Sequence, residues 1–518
     1  MLRQIVSVGS LTLISRISGF IRDIVLASLL GAGLAADAFV VAQRLPNHFR
    51  AIFGEGAFNA AFVPSYARIL AQQGQSEAHR FASHLLRILT LSLIAITALA
   101  MIFMPEVVQL LAPGFSANPE KFTLAVNLTR ITFPYLLFIS LVTLFSGILN
   151  AHDRFASAAF APVLLNVSII IALLSSVYFP DAANAAAWGV FIAGILEFLL
   201  VLIDAHRSNL VPSLRTIPPD EAQKKSMAAF WSALGPGVIG SAGVQLAMFA
   251  DTIIASLLPT GAVSSLYYAD RLYQLPVGMI GIAAGTVLLP TMAKHWAAGK
   301  DAEAHHAQNQ AMALTLMLSA PFLVAFLMVP GTIMRGLFMR GAFDMDAARA
   351  AGSVLAAYTT GLPAVVLIRS AVSSFHARGD TRTPVIAAFT GIAVNIGLKI
   401  MLADPWGASG LALATAIGAW INFGLLVALA MARDWMSPDA ELGRWLAAIL
   451  VSVLVMAVAI QTFGPPIRQL SRDWPNWKNE IELSILALSG LSAYLVPLFL
   501  LVRFFKLSLK QKTSPIQD

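Results

Sequence analysis

The chain contains no cysteine, so disulfides and thiolate-bound metal clusters are excluded. Charge is also scarce. Asp, Glu, Lys and Arg make up 12% of the residues, against roughly 25% in an ordinary soluble domain. No phosphate-binding P-loop, zinc-protease HExxH or hydrolase GxSxG is present. The polar breaks are too short for a nucleotide-binding domain. No cofactor is expected, and any energy must come from the membrane potential, from a monovalent cation or other gradient, or from the substrate's own concentration difference. No basic run is interleaved with aromatics, so the net charge of +7 does not indicate nucleic acid; it fits basic cytoplasmic loops of a membrane protein. Arg16 interrupts the first apolar run, which argues against a cleavable signal peptide. His305 and His306 are read as a solvated pair in a polar loop, so no metal site is expected there.

What is present is apolar. Hydrophobic residues make up 58% of the 518, and mean hydropathy is +0.76. Segments long enough to cross a bilayer as helices recur between short polar breaks. They lie near 5–30, 35–63, 83–111, 123–149, 156–179, 185–203, 226–257, 262–293, 308–335, 350–377, 383–402, 407–432, 441–463 and 482–505. The fold class is therefore an all-α polytopic membrane protein of about fourteen spans. Pro46, Gly54 and Gly56 should break the second span and form a hinge. Lys and Arg outside the spans concentrate on one set of loops, which places both termini in the cytoplasm.

A weak repeat of about 225–230 residues runs through the chain. Asn150-Ala151-His152-Asp153-Arg154 is echoed by His376-Ala377-Arg378-Gly379-Asp380, and Gln43-Arg44-Leu45 by Asp270-Arg271-Leu272. Parallel repeats of this kind are a transporter design. The organisation expected is an N-terminal lobe over 1–215, a C-terminal lobe over 216–435, two added spans over 436–505 and a polar tail over 506–518.

The informative residues are cations inside apolar segments. An arginine at the centre of a membrane helix costs about 2.5–3.5 kcal/mol on insertion scales. Arg16, Arg22, Arg44 and Arg50 all fall in the first two spans, and Arg271 in the eighth. Together they call for a polar cavity that receives an anion. Helical spacing brings Arg16 near the face of Asp23, and Arg44 near that of Glu55. Arg22 and Arg50 fall off those faces and are read as the ligand contacts. Arg271, which follows Asp270, would complete the cationic ring. Arginine suits phosphate because its planar fork binds bidentately. The alternative for each pair is a salt-bridged strut. Asp251 with Asn395 and Lys399 forms a second group, an ion site or an internal charge pair. Glu197 is expected at the lipid interface, and Arg130 and Arg369 either snorkel or line a cavity.

At Ser15–Asp23, Asp37–Pro64 and Tyr267–Pro290 the sequence resembles the bacterial lipid II flippases of the MurJ/MviN family, over essentially its whole length. The resemblance implies two six-helix lobes forming a V around a cationic cavity. It implies a groove for the undecaprenyl tail on the last two spans. The substrate it implies is the lipid-linked peptidoglycan precursor, moved from the cytoplasmic to the periplasmic leaflet of the bacterial inner membrane. Family cavity arginines map onto Arg16, Arg22, Arg50 and Arg271, and family acids onto Asp23, Asp37 and Glu55. Ser264 lies where the family is sensitive to change. Asp251 and Asn395 fit the sodium ligands of some members, whereas Lys399 departs from that pattern. Partners implied are lipid II, membrane lipids and peptidoglycan synthesis machinery.

Three other readings compete. A flippase for another undecaprenyl-diphosphate-linked oligosaccharide shares the charge pattern and is separated from the first only by the motifs. A cationic-drug exporter would line its cavity with acids rather than arginines. A membrane-embedded glycosyltransferase would need a catalytic acid outside the membrane, and Asp344 and Asp346 are the acids available.

Overall fold

Proline and glycine decide where these apolar runs stop, bend or reverse. The computed structural model describes residues 2–50, 57–213 and 220–507, and among them every regular element is a helix. Nine helical stretches of the described residues are long and apolar enough to cross a membrane. The chain divides into two compact units, Met1–Ser264 with Arg340–Phe343, and Ser265–Met339 with Asp344–Asp518.

The first unit holds α1 (Leu2–Leu30), α2 (Leu34–Arg50), α3 (Ala57–Gln73), α4 (Gln75–Ile102), α5 (Met104–Leu111), α6 (Pro119–Thr132), α7 (Tyr135–Ala151), α8 (Ala156–Leu174), α9 (Ala182–Arg207) and α10 (Glu221–Ser256). Helix α10 packs here on α3, α4 and α5. Side-chain carboxylates close helix starts, Asp181 accepting from the Asn184 N–H at 2.7 Å and Asp220 from the Gln223 N–H at 2.8 Å. Helices α8 and α9 approach closely over small residues. A Cβ on Gly189 would stand 2.9 Å from the Ile169 Cα, and membrane helices gain packing in this way because lipid gives them no hydrophobic drive to associate.

The second unit takes in α11 (Ala262–Ala297), α12 (Asp301–Met328), α13 (Pro330–Phe338), α14 (Met345–Thr359), α15 (Leu362–His376), α16 (Arg382–Ala432), α17 (Ala440–Leu470) and α18 (Lys478–Phe504). The 51 residues of α16 would extend about 75 Å if straight, far beyond a hydrocarbon core of about 30 Å. The helix instead reverses at Gly407 (φ 54°, ψ −138°), and its arms pack back so that a Cβ on Gly391 would meet the Gly418 carbonyl at 2.8 Å. The two expected spans 383–402 and 407–432 are the arms of this hairpin. Helices α17 and α18 pack on each other and leave Leu450, Leu454, Val458, Leu488, Val496 and Phe499 exposed, as a lipid-facing surface requires.

Pro46 does not break the second span as expected; α2 runs through it to Arg50. Proline removes the hydrogen bond to the carbonyl four residues back. That carbonyl belongs to Ala42, and it accepts instead from the buried Thr132 hydroxyl at 2.8 Å. The second unit repeats the device. Pro321 frees the Met317 carbonyl, which accepts from the buried Tyr494 hydroxyl of α18 at 2.7 Å. A carbonyl left unmade in such surroundings costs about 1–3 kcal/mol. Thr132→Val and Tyr494→Phe should each lower thermal stability in detergent by that amount, and Thr132→Ser should not. Unchanged melting for both would show that the carbonyls draw on other donors. The hinge expected at Gly54 and Gly56 lies outside the described residues.

Turns at positions that correspond in the expected repeat share backbone features. Asp153 and Gly379 both take positive φ, at 58° and 78°. Asn209 and Asp434, at the ends of α9 and α16, both sit at φ 55°. The bonds that close those ends also match: the Leu210 N–H reaches the Ala205 carbonyl at 2.8 Å and the Trp435 N–H reaches that of Ala430 at 2.8 Å. The loop-to-helix-end ion pairs run in opposite senses, although their helix-end members do not correspond. In the first unit the loop cation Arg154 binds Asp204 of α9; in the second the loop anion Asp380 binds Arg433 after α16, at 2.8 Å. Thr383 donates to Asp380 from its N–H and its hydroxyl, and these bonds, with Arg433 adding to them, hold the carboxyl down at about 2.

Candidate functional site

Helix α1 carries Arg16 and Arg22 into an apolar setting. Arg22 is buried, 8% exposed, and its Nε and Nη2 donate to Asp23 Oδ1 at 3.0 and 2.7 Å. Its Nη1 donates to Asn166 Oδ1 of α8 at 2.9 Å. The Asn166 amide in turn donates to the Ser15 carbonyl and the Ser18 hydroxyl, each at 3.0 Å. Asp23 was expected to face Arg16, but it takes the guanidinium of its neighbour, and Arg16 lies exposed on α1.

Asp37, near the start of α2, is fully buried and accepts four hydrogen bonds. Lys121 Nζ of α6, itself buried over the Phe115 ring, donates to Oδ2 at 2.7 Å. The Gly261 N–H reaches Oδ2 at 2.8 Å, and the Ser264 N–H and hydroxyl reach Oδ1 at 2.8 Å each. Gly261 has φ +96°, and a Cβ there would stand 2.7 Å from the Ala32 carbonyl, so the turn into α11 needs glycine. Ser264, singled out from the resemblance, thus finds a concrete partner in Asp37. Lys121 was missed, because in sequence it reads as a loop cation near a helix start. The loop Arg340–Phe343 also belongs to this unit, the Ala342 N–H donating to the Ser28 carbonyl at 2.8 Å.

Farther along α2, Arg44 Nη1 donates to the Thr252 hydroxyl of α10 at 3.1 Å. His48 Nδ1 meets Gln245 Oε1 at 3.1 Å, and Asp251 lies within electrostatic reach of His48. Glu55, the expected partner of Arg44, lies outside the described residues. Glu197 is not at a lipid interface. It is 1% exposed within α9, accepts from the Tyr135 hydroxyl at 3.1 Å, and has Arg50 as its electrostatic neighbour. The expectation failed because residue type alone does not tell which face of an apolar helix an acid occupies.

In the second unit Arg271 is exposed and lies over the Tyr267 ring at 4.8 Å, while Asp270 accepts from Gln274 at 3.2 Å. Lys399 is 1% exposed on α16, one turn from Asn395, whose amide oxygen and that of Asn422 are buried without a hydrogen bond among the described residues. Arg130 and Arg369 are exposed. His306 is not in a loop but in the first turns of α12, and its Nδ1 meets Asp439 Oδ2 at 3.0 Å. Burial opposes the charge on Asp439, but bonds from His306, the Leu442 N–H and Asn309 outweigh it and hold that carboxyl below its usual value. Asp344 caps α14 through the Ala347 N–H at 2.8 Å and Asp346 pairs with Arg349 at 3.0 Å, both at the surface, which is a helix-start role.

The fold, with Arg22, Lys121, Lys399 and several acids buried in it, is that of a multi-pass helical membrane transporter. The family model for lipid II flippase MurJ matches residues 26–465. A probable lipid II flippase MurJ of Rhizobium meliloti (strain 1021) is 38% identical over 467 residues, covering 89% of this chain and 86% of that protein. The lipid II flippase MurJ of Burkholderia cenocepacia is 33% identical over 459 residues, covering 88% of each. A solved lipid II flippase MurJ in an inward closed conformation superposes with TM-score 0.79 at 26% identity, over 96% of this chain and 99% of that one. An inward-facing multidrug resistance MATE family transporter of the MOP superfamily, at 15% identity and TM-score 0.67, shares the fold. The chain belongs to the lipid II flippase MurJ family.

Proposed function

We propose that this chain flips lipid II from the cytoplasmic to the periplasmic leaflet of the bacterial inner membrane by alternating access. Family membership over nearly the whole chain carries the reading, and the charged residues give it chemistry. The substrate joins a diphosphate and a large hydrophilic head to a long apolar tail. The head cannot cross hydrocarbon unaided, whereas the tail has no need to leave it. Arg16, Arg50 and Arg271 are the diphosphate contacts, since guanidinium binds phosphate oxygens bidentately and keeps its charge when partly dehydrated. Arg22 acts by fixing α1 against α8. The exposed apolar surface of α17 and α18 carries the tail. Both termini lie in the cytoplasm, the energy comes from the membrane potential or a monovalent cation, and the peptidoglycan synthesis machinery consumes the product.

The test is depletion of the protein in cells, followed by a leaflet-specific assay of lipid II. Lipid II should accumulate on the cytoplasmic side, and Arg50→Ala should fail to restore its periplasmic appearance at normal protein abundance. Periplasmic access that persists after depletion would overturn the reading.

A further inference from the structure

One end of the second unit gathers two arginines and two tryptophans, and only one of the arginines has a carboxylate in contact. Trp296 lies at the end of α11, Arg378 just after α15, and Arg433 and Trp435 just after α16. The Arg378 guanidinium lies over the Trp296 ring at 3.9 Å and faces the Trp435 ring at 5.2 Å. Arg433 also lies over Trp435, at 4.9 Å, and it holds Asp380 at 2.8 Å. Arg378 pairs with no carboxylate among the described residues. A guanidinium has five N–H donors, and the hydrogen bond Arg378 makes among those residues is a long one, 3.4 Å from Nη1 to the Ser374 carbonyl. The carboxylates nearby are engaged, Asp380 by Arg433 and Thr383, and Asp439 by His306. Exposed Asp301 attracts Arg378 without touching it, and burial outweighs that attraction, pulling the guanidinium below its usual value.

Two ring nitrogens beside it are also unsatisfied. The Trp296 indole N–H and His305 Nε2 are shut off from solvent and have no hydrogen-bond partner among the described residues. The His305 ring stands edge-on to that of Trp296, with centroids 6.5 Å apart. The cluster is thus rich in N–H donors, positively charged and short of acceptors. A buried donor left unmade is costly, and stacking on an aromatic face does not neutralise a cation. Water could fill one N–H but would leave the charge, and Arg378 with Arg433 would repel a cation. The group that completes the cluster is an anion with several acceptor oxygens, and the planar guanidinium fork suits phosphate.

We propose that Arg378, Trp296 and His305 form a phosphate site at this end of the second unit, with Arg378 as the charged contact and the indole N–H as a second donor. The phosphate belongs to the headgroup of an anionic lipid or is free in solution. Basic pockets at cytoplasmic helix ends hold lipid phosphates, and this end faces the cytoplasm in the orientation proposed above. The site is distinct from the proposed diphosphate contact on the same helix. Trp296 and Arg271 are about 25 residues apart on α11, or about 37 Å of straight helix. A phosphate held here ties the ends of α11, α12 and α15 together and so favours the folded unit.

The experiment is thermal melting of the purified full chain in detergent with added phosphatidylglycerol, with zwitterionic phosphatidylethanolamine as the control, and with inorganic phosphate against chloride at equal ionic strength. The wild type should melt about 2–4 °C higher with a phosphate ligand than with its control, and the shift should grow with the logarithm of ligand concentration. A shift with phosphatidylglycerol alone assigns the phosphate to a lipid headgroup; a shift with inorganic phosphate as well assigns it to the free anion. Arg378→Gln should lose the shift. Trp296→Phe keeps an aromatic face under the guanidinium and removes the N–H, and its shift should shrink. Should Arg378→Gln fail to fold, Trp296→Phe decides alone. No shift from either ligand in the wild type overturns the proposal, and so does a full wild-type shift in either variant.

Discussion

Replacing Asp37 by alanine should unfold more of this protein than any other single change in α2. The carboxylate is fully buried and takes Lys121 Nζ at 2.7 Å, the backbone N–H groups of Gly261 and Ser264 at 2.8 Å each, and the Ser264 hydroxyl at 2.8 Å. Its removal strands an ammonium that is 3% exposed and strips two backbone donors of their acceptor. Removing one partner of a buried ion pair costs about 3–5 kcal/mol. Folding stability is typically about 5–15 kcal/mol, so this is a large share of it. Asp37→Ala should therefore lower the melting temperature in detergent sharply and reduce abundance in membranes. Asp37→Asn should fall between, because one amide oxygen can still accept from Ser264. Lys121→Met added to Asp37→Ala should recover part of the loss by removing the stranded cation. Strictly additive effects would show that the two side chains are not coupled.

How much of this was legible in the sequence divides by physical range. The helical class, the bilayer-length segments and the repeat follow from composition and short-range spacing. Asp153 and Gly379, which correspond in the repeat read from residues 150–154 and 376–380, both take positive φ. Partner choice depends on what another helix presents and was not legible. Arg22 looked unpaired on its helix face, yet its fork reaches sideways to the adjacent Asp23 and across to Asn166, 144 residues on. Pro46 looked like a break because the hydroxyl that satisfies Ala42 comes from Thr132 of another helix. Glu197 was placed at the lipid surface because nothing local marked the Tyr135 contact.

The second large effect is expected at Arg22, and it separates a residue that builds the site from residues that contact the ligand. Arg22 joins Asp23 to Asn166, and Asn166 is tied back to Ser15 and Ser18, so a single guanidinium closes a polar knot between α1 and α8. Arg22→Ala strips a buried carboxylate of this cation at a cost of about 3–5 kcal/mol. Both thermal stability and complementation should fall. Arg22→Lys should recover only part, since one ammonium lacks the fork that reaches two acceptors on different helices. Asn166→Leu should reproduce the stability loss in smaller measure, because it removes the tie between α1 and α8 but leaves the Arg22–Asp23 pair. Arg16, exposed on the same helix, should behave in the opposite way. Arg16→Ala should abolish flipping of lipid II at unchanged melting temperature, because no buried partner among the described residues is stranded. The check is to measure detergent melting and complementation side by side for the set. If Arg22→Ala melts like the wild type while transport is lost, Arg22 is a ligand contact and the knot between α1 and α8 is dispensable for folding.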